Sequence, residues 1–378
     1  MKILILGSKE YPMGSNKEDD PISSGGMETY VDDLALALSE YSTLLIVTRK
    51  FRETKKREHL GSIEILRVPY LKGKYFRNPS FNFLSFLASL WLVKDVDAIY
   101  PQGIVASFFA YLLSRMSGKP VVCRPAGIAY DQYGFPINRI LYLLMKAVYR
   151  KCDCVVFHSE GEKENFTRIL GFAPRRSEVI LTGIPVEKFS RQMKSAKSEF
   201  GIPEKTPVVG FIGRFVGVKG LEYLIRAASL LKGKNVKFMF VGDGPQRPQI
   251  EGLIKTLGLE ENFVFTGFTR DIPKALAAMD VFVISSLSEG LPTSLLEAMA
   301  AGKACIVTDI GLPVENRQTG LVVPPKSPEA LARAIETLLQ DPGLRSRLGR
   351  SGQKFAKENC TQEKAAKKHF EMFSTLKR

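Results

Sequence analysis

This 378-residue chain has little cysteine or histidine, five of the first and three of the second. The cysteines, Cys123, Cys152, Cys154, Cys305 and Cys360, are odd in number and contain no pair at CxxC spacing. That excludes a disulfide scaffold and points to reduced thiols in a reducing compartment, the cytoplasm. Cys152 and Cys154 flank Asp153, but no further Cys or His cluster joins them, so no zinc site is expected. His59, His158 and His369 are scattered and read as structural or exposed. No apolar run approaches the ~20 residues that span a bilayer; the longest, FLSFLASLWLV, covers 83–93. The N-terminal MKILILG reads as a first strand, not a signal peptide. No GxGxxG follows it, since the chain continues GSKEYPMGS, which disfavours a nicotinamide enzyme. There is no internal repeat, low-complexity segment, or RRM, KH or zinc-finger pattern.

What is present is ordinary globular composition with a basic excess: 45% hydrophobic, 25% charged, and 54 Lys and Arg against 39 Asp and Glu. Nucleic acid, an anionic membrane and an anionic substrate are the partner classes this invites. Length gives two domains as the prior. Short apolar runs alternate with helical patterns, the mark of βαβ units and parallel sheets. Strands are expected at 2–7, 43–49, 63–68, 97–101, 120–125 and 154–159, then at 207–213, 236–242, 263–267, 281–286, 304–309 and 320–324. Helices are expected between them. The polar, weakly patterned stretch 186–206 is the best linker candidate. The predicted fold class is α/β, two doubly wound domains facing across a cleft. Such sheets bind ligands at the carboxyl ends of their strands.

Four segments carry chemistry. In SEGLPTSLLEAMAAGKA (288–304), Glu289 follows a strand, Pro292 starts a helix, Glu297 lies about a turn inside it and Gly302 ends it. The free N–H groups near 290–294 and the positive helix end would favour a phosphate or polar hydroxyls. A solvated Glu and a surface-facing helical Glu fit those residues too. In GFIGRFVGVKG (210–220), Arg214 and Lys219 flank a Gly-rich turn, with Lys219 expected to open the next helix. They can converge on one diphosphate, the Arg as a fork and the Lys as a point charge, or stand as two exposed cations. SSGGMETY (23–30) offers Gly25 and Gly26 for close backbone approach, or forms a plain loop. VGDGP (241–245) is a strand-end turn.

In content and order, these segments resemble glycosyltransferase family 4, the retaining nucleotide-sugar glycosyltransferases of GT-B architecture. The resemblance rests on Gly25-Gly26-x-Glu28, Gly213-Arg214 with Lys219-Gly220, GDGP, Glu289-Gly290-x-Pro292 with Glu297, and TDIGLPVENRQTGLVVPPKSPEALARAI. It implies an acceptor-binding Rossmann-like domain at 1–188, a linker at 189–206, a donor domain at 207–350, and a helical segment at 351–378 that crosses back. It further implies that Arg214 and Lys219 hold the donor diphosphate, that Glu297 accepts from the ribose, and that Glu289 contacts the transferred sugar. Backbone at Gly213, Gly290, Leu291 and Thr293 would line sugar and phosphate. Gly267 and Phe268 would meet the base, and Gly25 and Gly26 would close on the phosphate. Departure of a nucleoside diphosphate develops negative charge that fixed cations stabilise, so no metal and no further cofactor are implied. Asp95-Val96-Asp97 reads as a solvated turn. Two motifs depart from the family. Its first-domain His-Gly is here Pro125-Ala126-Gly127, leaving Arg124 and Asp131 as candidate substitutes, and its Asn-Gly-x-Asp is Thr182-Gly183-Ile184-Pro185. A GT-B epimerase or phosphorylase, or a non-catalytic sugar-nucleotide or membrane-scaffold protein, are the competing readings.

The basic surplus is local. Residues 49–151 contain 18 Lys and Arg against 6 Asp and Glu. In NRILYLLMKAVYRK (138–151), Ile140, Leu141, Leu144 and Val148 form an apolar side beside Arg139, Lys146, Arg150 and Lys151. This suits either a core helix with a basic face or an interfacial one. The expected partners are a nucleoside-diphosphate sugar, a glycan or lipid-linked acceptor, and an anionic membrane surface through 70–151. Nucleic acid is not expected.

Overall fold

A computed structural model of the chain describes residues 1–15, 26–73, 76–125, 137–190 and 195–376. It divides into two compact units, Met1–Gly183 with Gln362–Arg378, and Ile184–Thr361.

Unit 1 is built on β1 (Lys2–Leu6), β2 (Thr43–Arg49), β3 (Arg57–Leu60), β4 (Ile63–Val68) and β5 (Ala98–Pro101), in the order β3-β4-β2-β1-β5. Parallel bridges Ile99↔Val121 and Gln102↔Arg124 carry the sheet on to β6 (Val122–Cys123), β7 (Cys154–Phe157) and β8 (Ser177–Val179). Only β3 runs antiparallel. Alternation along β1 and β2 sorts the core into two layers. Ile3, Ile5, Leu44 and Ile46 face α1 (Gly26–Leu38) and α13 (Gln362–Ser374). Leu4, Leu6, Leu45 and Val47 face α2 (Arg77–Leu92), α3 (Ile104–Ser117), α4 (Ile137–Tyr149) and α5 (Glu160–Leu170). The connection from β5 to β6 is α3, and Asp97 Oδ2 accepts from Lys2 N at 2.8 Å, tying the β5 start to β1. The DxD aspartate therefore serves a strand junction.

Unit 2 holds a six-stranded parallel sheet of β9 (Val208–Ile212), β10 (Lys237–Val241), β11 (Phe263–Gly267), β12 (Val281–Ile284), β13 (Ala304–Thr308) and β14 (Leu321–Val323). Its order is β11-β10-β9-β12-β13-β14, so the strand order reverses between β9 and β12. The intervening helices are α7 (Leu221–Leu230), α8 (Arg247–Leu257), α9 (Ile272–Ala277), α10 (Thr293–Ala300), α11 (Pro328–Gln340) and α12 (Pro342–Asn359). The stretch expected as a linker is folded onto this unit. It contains α6 (Val186–Ser190), with Val186 and Phe189 buried, and a 3₁₀ turn at Lys197–Phe200. Lys197 Nζ is buried 2.8 Å from Asp280 Oδ2 and 3.0 Å from the Thr206 carbonyl. Its basic, polar composition hid these anchors.

Candidate active site

The reversal between β9 and β12 opens the crevice in which doubly wound sheets take ligands. Both strands are wholly buried, and the loops leaving their carboxyl ends carry the residues of interest. After β9, Gly213 and Arg214 lead to a 3₁₀ turn at Gly217–Lys219, and α7 starts only at Leu221. Lys219 thus sits before the helix instead of opening it. Gly220 is the reason for the break. It has φ +60°, and a Cβ there would lie 2.3 Å from the Ser285 carbonyl. The close approach docks this loop on the one after β12. Leu287 N donates to Val218 O at 2.7 Å, and Ser285 Oγ donates to Lys219 O at 2.9 Å.

These bonds bring Lys219 Nζ to 2.6 Å from Glu289 Oε1, with Ser286 Oγ donating to the same oxygen at 2.7 Å. Both charged side chains are mostly buried, at 18% and 13% exposure, so water screens the pair weakly. The Ser286 carbonyl is fixed by Thr308 Oγ1 of β13 at 2.5 Å. Neither serine carried a motif; their signal was the position at the end of VFVISS. Arg214 stands exposed on the same loop. Gly290 and Leu291 follow Glu289, Pro292 precedes the first turn of α10, and Thr293 is its first residue. Glu297 is half-buried one turn on. A short helix start thus lies directly beside a positioned cation and carboxylate, an arrangement able to receive phosphate and hydroxyl groups together.

The GDGP turn has a clear structural task. A Cβ on Gly244 would lie 2.4 Å from the Phe215 carbonyl, so the turn packs its backbone against the Arg214 loop. Phe215 N donates to Asp243 O at 2.9 Å and Gln246 N to Phe215 O at 3.1 Å. The ends of β9, β10 and β11 are laced in the same way, Gly213 N to Val241 O at 3.0 Å and Gly242 N to Gly267 O at 2.8 Å. Phe268, next in sequence, is 65% exposed.

Unit 1 has its own crevice where the order reverses between β1 and β5. Gly26 is the first residue of α1; Gly25 and Asp131 lie outside the described residues. Glu28, in the first turn of α1, is buried with Lys9 Nζ at 3.5 Å. Arg124 is no exposed substitute for a sugar-binding histidine. It is buried, donates to His158 Nε2 and to Gln102 Oε1 (3.0 Å), and lies 3.8 Å over the Tyr30 ring. His158 Nδ1 faces the Ile180 carbonyl at 3.0 Å, so the ring is a neutral Nδ1–H tautomer accepting from Arg124. Burial, then the Arg124 charge, hold its pKa well below the ordinary range. Tyr30 OH lies 2.8 Å from Tyr100 OH, and both hydroxyls contact His369 Nε2 of α13, at 3.1 and 3.2 Å. His369 Nδ1 faces Ala365 O at 2.7 Å, and burial lowers this group's pKa to about 4. This network was not legible in sequence, because its members come from five separate segments.

Two family models match successive parts of the chain. The family described as Glycosyltransferase Family 4 matches residues 24–188, and that described as Glycosyl transferases group 1 matches 192–355. A 2-deoxystreptamine glucosyltransferase of Streptomyces kanamyceticus is 30% identical over 301 residues, 73% of this chain and 78% of that one. The N-acetylgalactosamine-N,N'-diacetylbacillosaminyl-diphospho-undecaprenol 4-alpha-N-acetylgalactosaminyltransferase of Campylobacter jejuni is 25% identical over 348 residues, 86% of this chain and 89% of that one. The solved structure of Anabaena HepE with UDP-glucose matches 99% of this chain and 100% of that chain, with TM-score 0.79 and 21% identity.

Proposed function

Because this chain is a GT-B glycosyltransferase of family 4, we propose that it moves a sugar from a nucleoside-diphosphate sugar to a hydroxyl acceptor with retention. Arg214 and Lys219 hold the diphosphate. The N–H groups of Gly290, Leu291 and Thr293 line phosphate and sugar with Gly213, and Glu297 accepts from the ribose. Gly267 and Phe268 meet the base. Gly25 and Gly26 close on the phosphate from unit 1. The observation that carries this reading is the Lys219–Glu289 pair at the sheet's reversal point. An ammonium has three donors. Lys219 can keep one on Glu289 and turn the others to phosphate oxygens, while Glu289 accepts from the sugar's hydroxyls. As the bond from sugar to diphosphate breaks, charge grows on the leaving oxygens, and the already placed cations stabilise it without reorganising. They do the work of a metal, so transfer needs none.

The acceptor is a glycan or a lipid-linked sugar, received by unit 1 at the cytoplasmic face of an anionic membrane. The basic surplus of residues 49–151 supports this, as does the undecaprenol-linked substrate in the Campylobacter relative's name. No helix among the described residues is long and apolar enough to cross a membrane, and the attachment proposed here is peripheral. The direct test is a thermal-shift panel of nucleoside diphosphates and their sugars. A true donor at 100 times its Kd stabilises the fold by about 2.7 kcal/mol. Lys219→Ala removes the shift. If no nucleoside diphosphate raises the melting temperature, the reading fails.

A further inference from the structure

The helix α2 is apolar on two sides: Phe81, Phe86, Leu90 and Leu92 pack against the core, and a second apolar row faces outward. An amphipathic helix on a globular protein turns its large apolar residues to the core. In α2 the buried side carries Phe81, Asn82, Ser85 and Ser89. The two serines satisfy their hydroxyls along the helix itself, Ser85 Oγ to Phe81 O and Ser89 Oγ to Ser85 O, both at 2.7 Å. The outward side carries Phe83, Leu87 and Trp91, four residues apart and so in one row, with Phe76 just before the helix. All four are exposed, Trp91 at 78%. Water is a poor environment for such a row, which stays exposed although the Phe83 ring meets Phe109 of α3 at 6.1 Å between centroids.

Charge indicates what covers the row. Between Asn78 and Val93 the sequence holds no charged residue, while Lys72 and Arg77 precede this stretch and Lys94 follows it. Lys94 Nζ sits 5.8 Å from the Trp91 ring centre. The layer continues through α3 and α4, and none of the three helices contains an Asp or Glu. The outward side of α4 differs from the sequence expectation, because Val148 turns into the core with Met145 and Tyr149. Ile140 and Leu143 remain outside, between exposed Arg139 and Arg150, and Met116 and Arg115 are exposed on α3.

We propose that the Phe83–Leu87–Trp91 row of α2 beds into the interface of an anionic bilayer, with the cations at its ends and on α3 and α4 resting on lipid phosphates. The inference deepens, and rests on, the membrane-side acceptor reading above. Aromatic rings sit at the headgroup level, a helix of this kind lies in the interface plane, and each nearby Lys or Arg adds attraction to an anionic leaflet. The helix has 16 residues, too few to span.

Trp91 is the only tryptophan in the chain, so the test is built in. Its emission is followed on titration with vesicles of phosphatidylglycerol or phosphatidylcholine, alongside flotation. The expected result is a blue shift with phosphatidylglycerol, quenching by brominated acyl chains, and loss of both in high salt. Leu87→Asp should weaken vesicle binding about tenfold while leaving the melting temperature and nucleotide-induced stabilisation unchanged. Flotation with phosphatidylglycerol but no change at Trp91 overturns the assignment to α2 and leaves a membrane-side enzyme. No flotation with either lipid overturns both. A blue shift that grows with protein concentration in the absence of vesicles means that a second copy covers the row, and overturns the proposal.

Discussion

Lys219 and Glu289, 70 residues apart in sequence, share a 2.6 Å ion pair that joins the first and fourth strands of unit 2 at their carboxyl ends. Before any donor arrives, the cation we assign to the phosphate is held by the carboxylate we assign to the sugar. Substitution of either partner therefore harms two tasks. Lys219→Ala should lower nucleoside-diphosphate release about 10²–10³-fold, and Glu289→Gln should do so with donor binding retained. Ser286→Ala, which removes one hydrogen bond to Glu289, should cost about 1 kcal/mol, roughly fivefold in kcat/KM. Steady-state release of the diphosphate measures all three. Normal turnover in Lys219→Ala removes that residue from the chemistry.

Gly244→Ala tests whether the GDGP turn supports the phosphate loop. Its Cβ would push on the Phe215 carbonyl, next to Arg214. The expectation is about 1–3 kcal/mol of lost stability and a raised KM for the donor at little-changed kcat. A change in stability with unaltered KM would mean that the turn is structural only.

Metal removal offers an independent check on the cation assignment. Transfer should survive exhaustive EDTA treatment, while Arg214→Ala should raise the donor KM. Activity that disappears with EDTA and returns with a divalent ion would overturn the metal-free reading.

The pattern of apolar runs shows both sheets because a parallel strand buried on both faces must be apolar along its length. The exceptions have physical causes. β3 reads Arg-Glu-His-Leu and pairs antiparallel at an exposed edge, so it needs no apolar run. β8 is three half-buried residues, Ser-Glu-Val. The motifs located Arg214, Lys219 and Glu289, but the contact between the last two is made by folding. The run at 83–93 announced a helix apolar all round without saying which side meets the core; Phe86, Leu90 and Leu92 do, together with serines bonded to their own helix, and Phe83, Leu87 and Trp91 stay outside.

Acid stability reports on the buried histidines. His158 and His369 are neutral in the folded chain, with His369 lowered to about 4 from 6.5. Above pH 6.5 neither state takes up a proton at these sites, so their contribution is constant. Below it the unfolded chain protonates and the folded one does not, and stability falls as pH drops toward 4. The slope is about 1.4 kcal/mol per pH unit per group. Thermal melts from pH 7.5 to 5 should show this decline, and His369→Gln should flatten part of it. An unchanged slope in His369→Gln would mean that the residue is accessible to protons when folded.

The return of α13 to unit 1 also sets an order of assembly. Residues 184–361 form one uninterrupted stretch that can close as soon as it leaves the ribosome. Unit 1 is begun first, yet Tyr30 meets His369 across 339 residues of chain. Its α1-side layer therefore lacks Ala366, Met372 and Phe373 until the whole of unit 2 has been made. The unit translated earlier is completed later, and a nascent chain leaves the part of the sheet face that lies under α13 uncovered for the time needed to translate unit 2.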